Sequence, residues 1–230
     1  MYPAHETHEI SEIESMQVRN WLNLSSFVAF ACGLLSAAPA GAAANGTRVA
    51  VFFGDSLTAG YGLDNPAADA YPALIQERIA AAGLPWRVIN AGLSGETTAG
   101  GLRRVDWVLR QPVDLFVLAL GANDGLRGIS PAVSRQNLQQ ILDRVRAKYP
   151  GAKLVVAGMQ LPPSLGADFT REFQEVFPAV AQQYDATLIP FLLDGVGGLA
   201  RYNLADRIHP NPEGHKRIAN TVWQTLQPLL

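Results

Sequence analysis

The chain has 230 residues, of which 48% are hydrophobic and 17% are charged. This length suits one domain, or a small pair of domains, with a sizeable core. The formal net charge of −2 excludes the strongly basic balance of a nucleic-acid-binding protein, and we expect no nucleic-acid partner.

An N-terminal extension and signal peptide, residues 1–44, is predicted to precede the folded domain, residues 45–230. An uncharged apolar run covers residues 21–35 and is shorter than the ~20 residues that a membrane span needs. Small residues follow this run, and they offer an A-x-A cleavage site that ends at Ala40 or at Ala44. The pattern therefore predicts a secretory signal that is cleaved, with a retained signal anchor as the alternative.

Four glutamates precede Met16, whereas the region before the apolar run of a signal peptide is normally positively charged. Met16 is therefore a more natural start than Met1. The only cysteine, Cys32, lies in the segment expected to be removed. We expect the mature protein to be periplasmic or secreted, with no stable membrane span, and to be a monomer.

Segments with the composition of β-strands recur along the body of the chain. The central ones, 114–120 and 153–158, are almost continuously apolar, which is typical of parallel strands covered on both faces. In chain order, the predicted strands are 48–53, 86–90, 114–120, 153–158 and 187–189.

Each predicted strand is followed by a segment with helical periodicity. The third helix begins with Ser-Pro, a capping residue followed by a proline at the first helical position. In chain order, the predicted helices are 70–82, 97–110, 130–149, 170–184 and 212–226.

Repeated strand–helix units predict an α/β fold, a three-layer α/β/α sandwich around a five-stranded parallel sheet. At this size we expect the flavodoxin-like strand order 2-1-3-4-5, in which the first and third strands are neighbours at the crevice where ligands bind. The polar turns at 54–56 and 121–124 then meet at this crevice.

The first strand runs into Ser56, a serine at the carboxyl edge of the sheet. A serine hydroxyl is a weak nucleophile until a base takes its proton. Beyond the leader, the histidines are His209 and His215. Asp206 precedes His209 by three residues, so one turn lets its carboxylate accept the ring Nδ1–H and leaves Nε2 for the serine. We predict a catalytic set of Ser56, His209 and Asp206, and place His215 on the surface of the last helix. A helix-capping role is the alternative for His209.

A serine that attacks a carbonyl group also needs donors that stabilise the resulting oxyanion. The Asn123 amide follows the third strand, and the Gly92 N–H follows the second, where the absence of Cβ allows a close approach to substrate. The N–H of Ser56 itself begins a helix and adds the positive end of a dipole. The alternative is that Gly92 and Gly95 only turn the chain, and that Asn123 caps the next segment.

Four motifs occur in the order of the four sequence blocks of the SGNH, or GDSL, hydrolase family. They are Gly54-Asp55-Ser56-Leu57, the Gly92 turn, Gly121-Ala122-Asn123-Asp124 and Asp206-x-x-His209. The chain resembles this family over about residues 48–228. The stretches GDSLTAGY, SGET and NDGLRG are similar to its bacterial periplasmic thioesterase I, lysophospholipase and arylesterase branch, which often has glycine where this chain has Ala122.

This resemblance implies that Ser56 is the nucleophile, His209 the general base and Asp206 its orienting acid. It implies that the Gly92 N–H and the Asn123 amide share the oxyanion with the Ser56 N–H. The implied activity is that of a serine ester hydrolase of the arylesterase, acyl-CoA thioesterase or lysophospholipase type. Its partner is a small-molecule acyl ester or thioester.

No phosphate-binding loop or dinucleotide fingerprint occurs, so we expect no cofactor, and no metal either, since His5 and His8 lie in the leader. Asp55 is expected to be structural, as it usually is in the family.

Apolar residues in the loops that follow the strands predict a wall for an acyl chain, and the alternative is that they only pack on the sheet. They are Leu63, Leu126, Ile129, Leu161, Pro162, Pro163, Leu165 and Phe169. One rival function is a carbohydrate O-acetyl esterase, with Tyr61, Tyr71 and Tyr202 as candidate sugar platforms. The other is a non-catalytic binding domain on the same scaffold.

Overall fold

A computed structural model describes residues 46–230, and the predicted leader, residues 1–44, lies outside the described part of the chain. The described strands are all parallel and form one sheet in the order β2-β1-β3-β4-β5, which confirms the predicted topology. The strands are β1 Arg48–Gly54, β2 Trp86–Gly92, β3 Leu115–Ala119, β4 Lys153–Ala157 and β5 Thr187–Ile189.

Helices cover both faces of the sheet, and each predicted helix is present, the last with the predicted ends and the others with ends shifted by up to three residues. Three further short helices are α1, which begins at Ser56 as expected, and α2 and α5, which the periodicity did not predict. In chain order, the helices are α1 Ser56–Ala59, α2 Pro66–Asp69, α3 Tyr71–Ala81, α4 Thr98–Val108, α5 Ala122–Leu126, α6 Pro131–Lys148, α7 Ala167–Gln183 and α8 Pro212–Leu226.

The helices divide into two layers. Helices α3 and α8 pack together on one face of the sheet, and α4, α6 and α7 pack side by side on the other. The central strands are the apolar part of the sheet, since β3 is buried along its whole length and β1 and β4 are buried after their first residues. A parallel sheet with both faces covered needs such continuous apolar strands.

Strand register brings three loops to one level at the carboxyl edge of the sheet. Gly54 at the end of β1 pairs with Gly92 of β2 and with Ala119 of β3. The chain segments that leave these three strands therefore start side by side. This edge is where the serine, the glycine turn and Asn123 were predicted to meet.

The predicted surface position of His215 is wrong, because the side chain is fully buried at 0% exposure. Helix α8 directs its apolar stripe inward, and His215 shares the stripe with Ile218, Ala219 and Val222. Its Nδ1 accepts the Tyr71 backbone N–H at 3.2 Å, and the two rings stack with centroids 6.4 Å apart. The prediction treated histidine as polar, although its helical spacing places it among the core residues.

We expect His215 to make the protein less stable in acid. Burial lowers the pKa of His215 to about 4, from 6.5 for the free side chain. Between these pH values the unfolded chain binds the proton more readily than the native protein does. The free energy of unfolding therefore falls as pH falls through this window, by up to about 3 kcal/mol.

Urea unfolding between pH 7 and pH 4 measures this contribution by comparing the protein with the His215→Leu variant. The leucine variant keeps an apolar side chain at the position but carries no titrating group. Its free energy of unfolding should depend less on pH than that of the parent. Equal pH dependence in the two proteins would show that burial of His215 does not disfavour its charge.

Candidate active site

Ser56 is the first residue of α1, directly after the end of β1. The Asp55 side chain caps this short helix, since its Oδ1 accepts the Leu57 N–H at 3.0 Å. Ser56 is 8% exposed, so its hydroxyl lies in a recess rather than on an open surface.

The structure brings Ser56, His209 and Asp206 together, although Ser56 and His209 are 153 residues apart in the chain. His209 Nε2 lies 3.0 Å from Ser56 Oγ, and His209 Nδ1 lies 2.7 Å from Asp206 Oδ2. The other carboxylate oxygen of Asp206 accepts the backbone N–H groups of Ile208 at 2.9 Å and of His209 at 3.0 Å. The carboxylate therefore fixes both the imidazole ring and the backbone that carries it.

The pKa of Asp206 is lowered to about 2. Partial burial acts to raise this pKa, but the hydrogen bonds from the His209 ring and from the backbone N–H groups of His209 and Ile208 lower it more. Asp206 is thus ionised at any pH above about 3, as an acid that orients a histidine must be.

Several contacts hold the loop that carries His209. The His209 carbonyl accepts the Leu204 N–H at 2.8 Å. Asn211 caps α8 by accepting the Gly214 N–H at 3.0 Å, and its amide donates to the Arg201 carbonyl at 3.0 Å. Tyr61 lies against the other side of the imidazole, with ring centroids 4.5 Å apart. These contacts fix the position of His209 relative to α1.

Asn123 lies in α5, beside the end of β1. Its amide Nδ2 is 3.1 Å from the Glu96 carbonyl and 3.3 Å from Asp55 Oδ2. The amide therefore faces the same carboxylate that caps the Ser56 helix. Asp55 thus lies between the serine and the asparagine.

Burial, with a smaller contribution from the nearby Glu96, raises the pKa of Asp55 to about 7. Hydrogen bonds from the Leu57 N–H and the Asn123 amide act in the opposite direction. The Asp55 carboxyl is 1% exposed, so desolvation outweighs these two donors.

An ion pair that the motif analysis missed braces the loop after β2. Arg104 Nε donates to both carboxylate oxygens of Glu96, at 2.7 and 2.8 Å, and Nη2 donates to the Ala91 carbonyl at 2.8 Å. The guanidinium lies over the Phe53 ring, 4.2 Å from its centroid. Glu96 supplies the carbonyl that meets Asn123, so this pair supports the position of the amide.

Gly92, the last residue of β2, and Gly95, in the loop that follows, occupy different environments. The Gly92 N–H donates to Asn90 Oδ1 at 3.0 Å, and a Cβ at this position would lie 2.3 Å from the Ala59 backbone nitrogen. Gly92 is therefore explained by its packing against α1. Gly95 is exposed, has a φ of 77° and precedes Glu96, and no acceptor among residues 46–230 takes its N–H.

A cavity of about 450 Å³ opens beside Ser56 and His209. Four of the eight predicted apolar residues line it: Leu126, Leu161, Pro162 and Pro163. The other four, Leu63, Ile129, Leu165 and Phe169, lie outside the cavity wall, and Leu63 is buried.

The prediction missed apolar residues in two other loops, Phe191 and Leu193 after β5, and Ile208 beside His209. Phe191 and Leu193 could have been predicted from their position in the loop after the last strand. The predicted wall already included apolar residues of the loops after earlier strands, and the same rule applies to this loop.

The predicted sugar platforms do not line this cavity. Tyr71 is fully buried, and Tyr202 lies between the guanidinium groups of Arg201 and Arg217, each 4.4 Å from its ring centroid. Tyr61 is 52% exposed but packs on His209. Within residues 46–230, no cluster of His, Cys, Asp and Glu is arranged to hold a metal ion.

The serine, the histidine and the aspartate have the arrangement that serine hydrolases use, and they lie at the carboxyl edge of a parallel sheet. Residues 52–217 match the GDSL-like Lipase/Acylhydrolase family. The chain belongs to this family, and the predicted relationship is confirmed.

Similar proteins carry esterase and thioesterase names. Esterase TesA of Pseudomonas aeruginosa is 44% identical over 178 residues, which cover 77% of this chain and 87% of that protein. Thioesterase 1/protease 1/lysophospholipase L1 of Escherichia coli K12 is 35% identical over 185 residues, which cover 78% of this chain and 84% of that protein. A crystal structure of TesA superposes with a TM-score of 0.75 at 43% identity, covering 80% of this chain and 100% of the other.

Proposed function

We propose that this carboxylic ester hydrolase works by two-step acyl transfer on Ser56. Ser56 Oγ attacks the ester or thioester carbonyl while His209 Nε2 takes its proton. His209 then protonates the leaving alcohol or thiol, and an acyl group remains on Ser56. In the second step, His209 activates a water that releases the acid and restores the serine.

One observation carries these roles, the unbroken contact from Ser56 through His209 to Asp206. The 3.0 Å and 2.7 Å separations are hydrogen-bond distances, within reach of a proton transfer. Asp206 accepts the Nδ1–H and so keeps the basic lone pair on Nε2, facing the serine.

For the oxyanion, we propose the Ser56 N–H, the Asn123 amide and a glycine N–H of the loop after β2. Gly92 was the predicted glycine, but its N–H is engaged by Asn90 Oδ1. Gly95 has an N–H with no acceptor in the described chain and adjoins Glu96, whose carbonyl contacts the Asn123 amide. We therefore favour Gly95 over Gly92 for this role.

Replacing Asn123 with alanine should lower kcat by about 10²- to 10³-fold and change KM little, because the donor acts on charge that develops only in the transition state. Steady-state kinetics on a p-nitrophenyl ester measures both constants. Asn137→Ala removes a half-buried amide whose partner is Thr98 Oγ1 and serves as a control. A kcat within a few-fold of the parent value would remove Asn123 from the oxyanion site.

We propose acyl esters and thioesters with chains longer than acetyl as the substrate class. The apolar wall of the cavity suits an acyl chain. The absence of tyrosine platforms from the cavity wall of the described chain argues against the rival, a carbohydrate O-acetyl esterase. The complete set of Ser56, His209 and Asp206 argues against a non-catalytic binding domain.

An acyl-length series tests this class. The mature enzyme is assayed on p-nitrophenyl acetate, butyrate, octanoate and dodecanoate, and on matched acyl-CoA thioesters, with Ser56→Ala as the blank. We expect kcat/KM to rise from acetyl to a medium-length acyl chain. A maximum at acetyl, together with release of acetate from acetylated sugars, would favour the rival function.

We also propose a periplasmic or secreted location, from the short apolar run and small residues of the predicted leader. Among residues 46–230, the helices are too short or too polar to cross a bilayer.

A further inference from the structure

Arg207 stands out among the residues that line the cavity. Among residues 46–230, it is the only lysine or arginine in the wall, which is otherwise mostly apolar, and its side chain is exposed. No carboxylate of residues 46–230 lies within 4.0 Å of its guanidinium. The neighbouring Asp206 is committed to His209, and the acidic residue that lines the wall, Asp55, is buried.

The backbone at Arg207 is in a conformation that favours glycine, with a φ of 58°. Its N–H closes a tight turn onto the Leu204 carbonyl at 2.9 Å. This turn lets the Asp206 carboxylate reach the Ile208 and His209 N–H groups. Because Arg207 has a Cβ atom, its backbone is strained in this conformation. Backbone strain of this kind is often found at functional sites.

We propose that Arg207 binds a negatively charged group, a carboxylate or a phosphate, on the substrate. It would thereby favour anionic esters and thioesters over neutral ones of the same acyl length. A guanidinium is suited to this role because its planar donors match carboxylate and phosphate oxygens in pairs. The inference rests on the proposed ester hydrolase function and adds a charge preference to it.

The surrounding charges strengthen the argument. The guanidinium groups of Arg201 and Arg217 stack on the ring of Tyr202, which lies in the segment before Asp206. Neither guanidinium is paired with a carboxylate of the described residues. Neither of these two arginines lines the cavity, whereas Arg207 does. Direct contact with an anionic substrate is therefore predicted for Arg207 and not for Arg201 or Arg217.

The experiment compares three chromogenic esters of one acyl length. The neutral reference is ortho-nitrophenyl octanoate. The second ester has a carboxylate on the nitrophenol ring, and the third is the mono-ortho-nitrophenyl ester of octanedioic acid, with the carboxylate at the far end of the acyl chain. The measured quantity is kcat/KM for each anionic ester divided by that for the neutral ester. Comparison of the two anionic esters shows whether Arg207 binds a negative charge on the leaving group or on the acyl group.

For Arg207→Gln, we expect this ratio to fall about three- to tenfold for at least one anionic ester. An effect of this size is expected because the ion pair between Arg207 and the anionic group is partly exposed to solvent. Arg207→Lys should retain part of the preference. In the parent enzyme the ratio should also fall as salt is added, and in Arg207→Gln it should respond less. Arg207→Gly removes the charge and relieves the backbone, so it should lower the ratio equally and raise the melting temperature.

Arg201→Gln is the matched control, since it removes the same charge from an exposed residue that does not line the cavity. The proposal is overturned if Arg207→Gln leaves both ratios at the parent value, or if Arg201→Gln lowers them as much. An inactive parent enzyme on the neutral ester would instead refute the ester hydrolase function, so the two failures are distinguishable.

Discussion

Replacing Ser56 with alanine is expected to lower kcat for ester hydrolysis by about 10⁴- to 10⁶-fold, the range seen when a serine nucleophile is removed. The acyl-enzyme forms on this oxygen, and no other hydroxyl was found in contact with His209 in the described chain. Because the residues act as a unit, adding His209→Ala to Ser56→Ala should cause little further loss. Steady-state assays on p-nitrophenyl octanoate, with active-site titration to count competent enzyme, provide the measurement.

The fold should survive this substitution, since the Ser56 hydroxyl bonds only to His209 among the described residues. Circular dichroism and the melting temperature check this point. Ser164→Ala removes an exposed hydroxyl from the loop beside the cavity and is the matched control. If Ser56→Ala retained more than about one hundredth of the parent kcat, another nucleophile or a direct attack by water would have to be assumed.

Replacing Asp206 with asparagine is expected to lower kcat by about 10³- to 10⁴-fold. An amide NH₂ facing Nδ1 favours the tautomer that has its proton on Nε2, and this tautomer cannot accept a proton from Ser56. An asparagine also lacks the charge that stabilises the imidazolium formed during the attack. The same kinetic assay measures this effect, and KM should change much less than kcat.

Asp194→Asn is the control for Asp206→Asn, because it removes an exposed carboxylate from the loop after β5. Its kcat should stay within about twofold of the parent value, as expected for a surface change. A loss below tenfold in Asp206→Asn would mean that backbone contacts and Tyr61 hold the imidazole sufficiently without the carboxylate.

The sequence was most informative about candidate functional residues that lie close to one another in the chain or close to the end of a predicted strand. Asp206 and His209 are separated by one turn, and Ser56 directly follows an apolar strand, so the proposed nucleophile, base and acid were all identifiable before the structure. The strand order was also predictable, because alternating strands and helices of this length allow few arrangements. The helix ends were less predictable, and α7 begins at Ala167, three residues before the predicted start.

Features that depend on contacts between distant segments were not predictable. The burial of His215 requires Tyr71 from α3, and the brace of Glu96 and Arg104 requires α4 to lie beside the end of β1. Local sequence did not distinguish Gly92 from Gly95, since both glycines lie close to the end of the second predicted strand. Their difference lies in the contact of Gly92 with Ala59 and in the positive φ of Gly95.

Covalent labelling tests the central claim, that Ser56 is the nucleophile, most directly. The mature enzyme is treated with a fluorophosphonate, and the labelled peptide is identified by mass spectrometry. We predict one phosphonyl group per molecule, on the peptide that contains Ser56, and no labelling of Ser56→Ala. A label on another residue, or equal labelling of Ser56→Ala, would contradict the account.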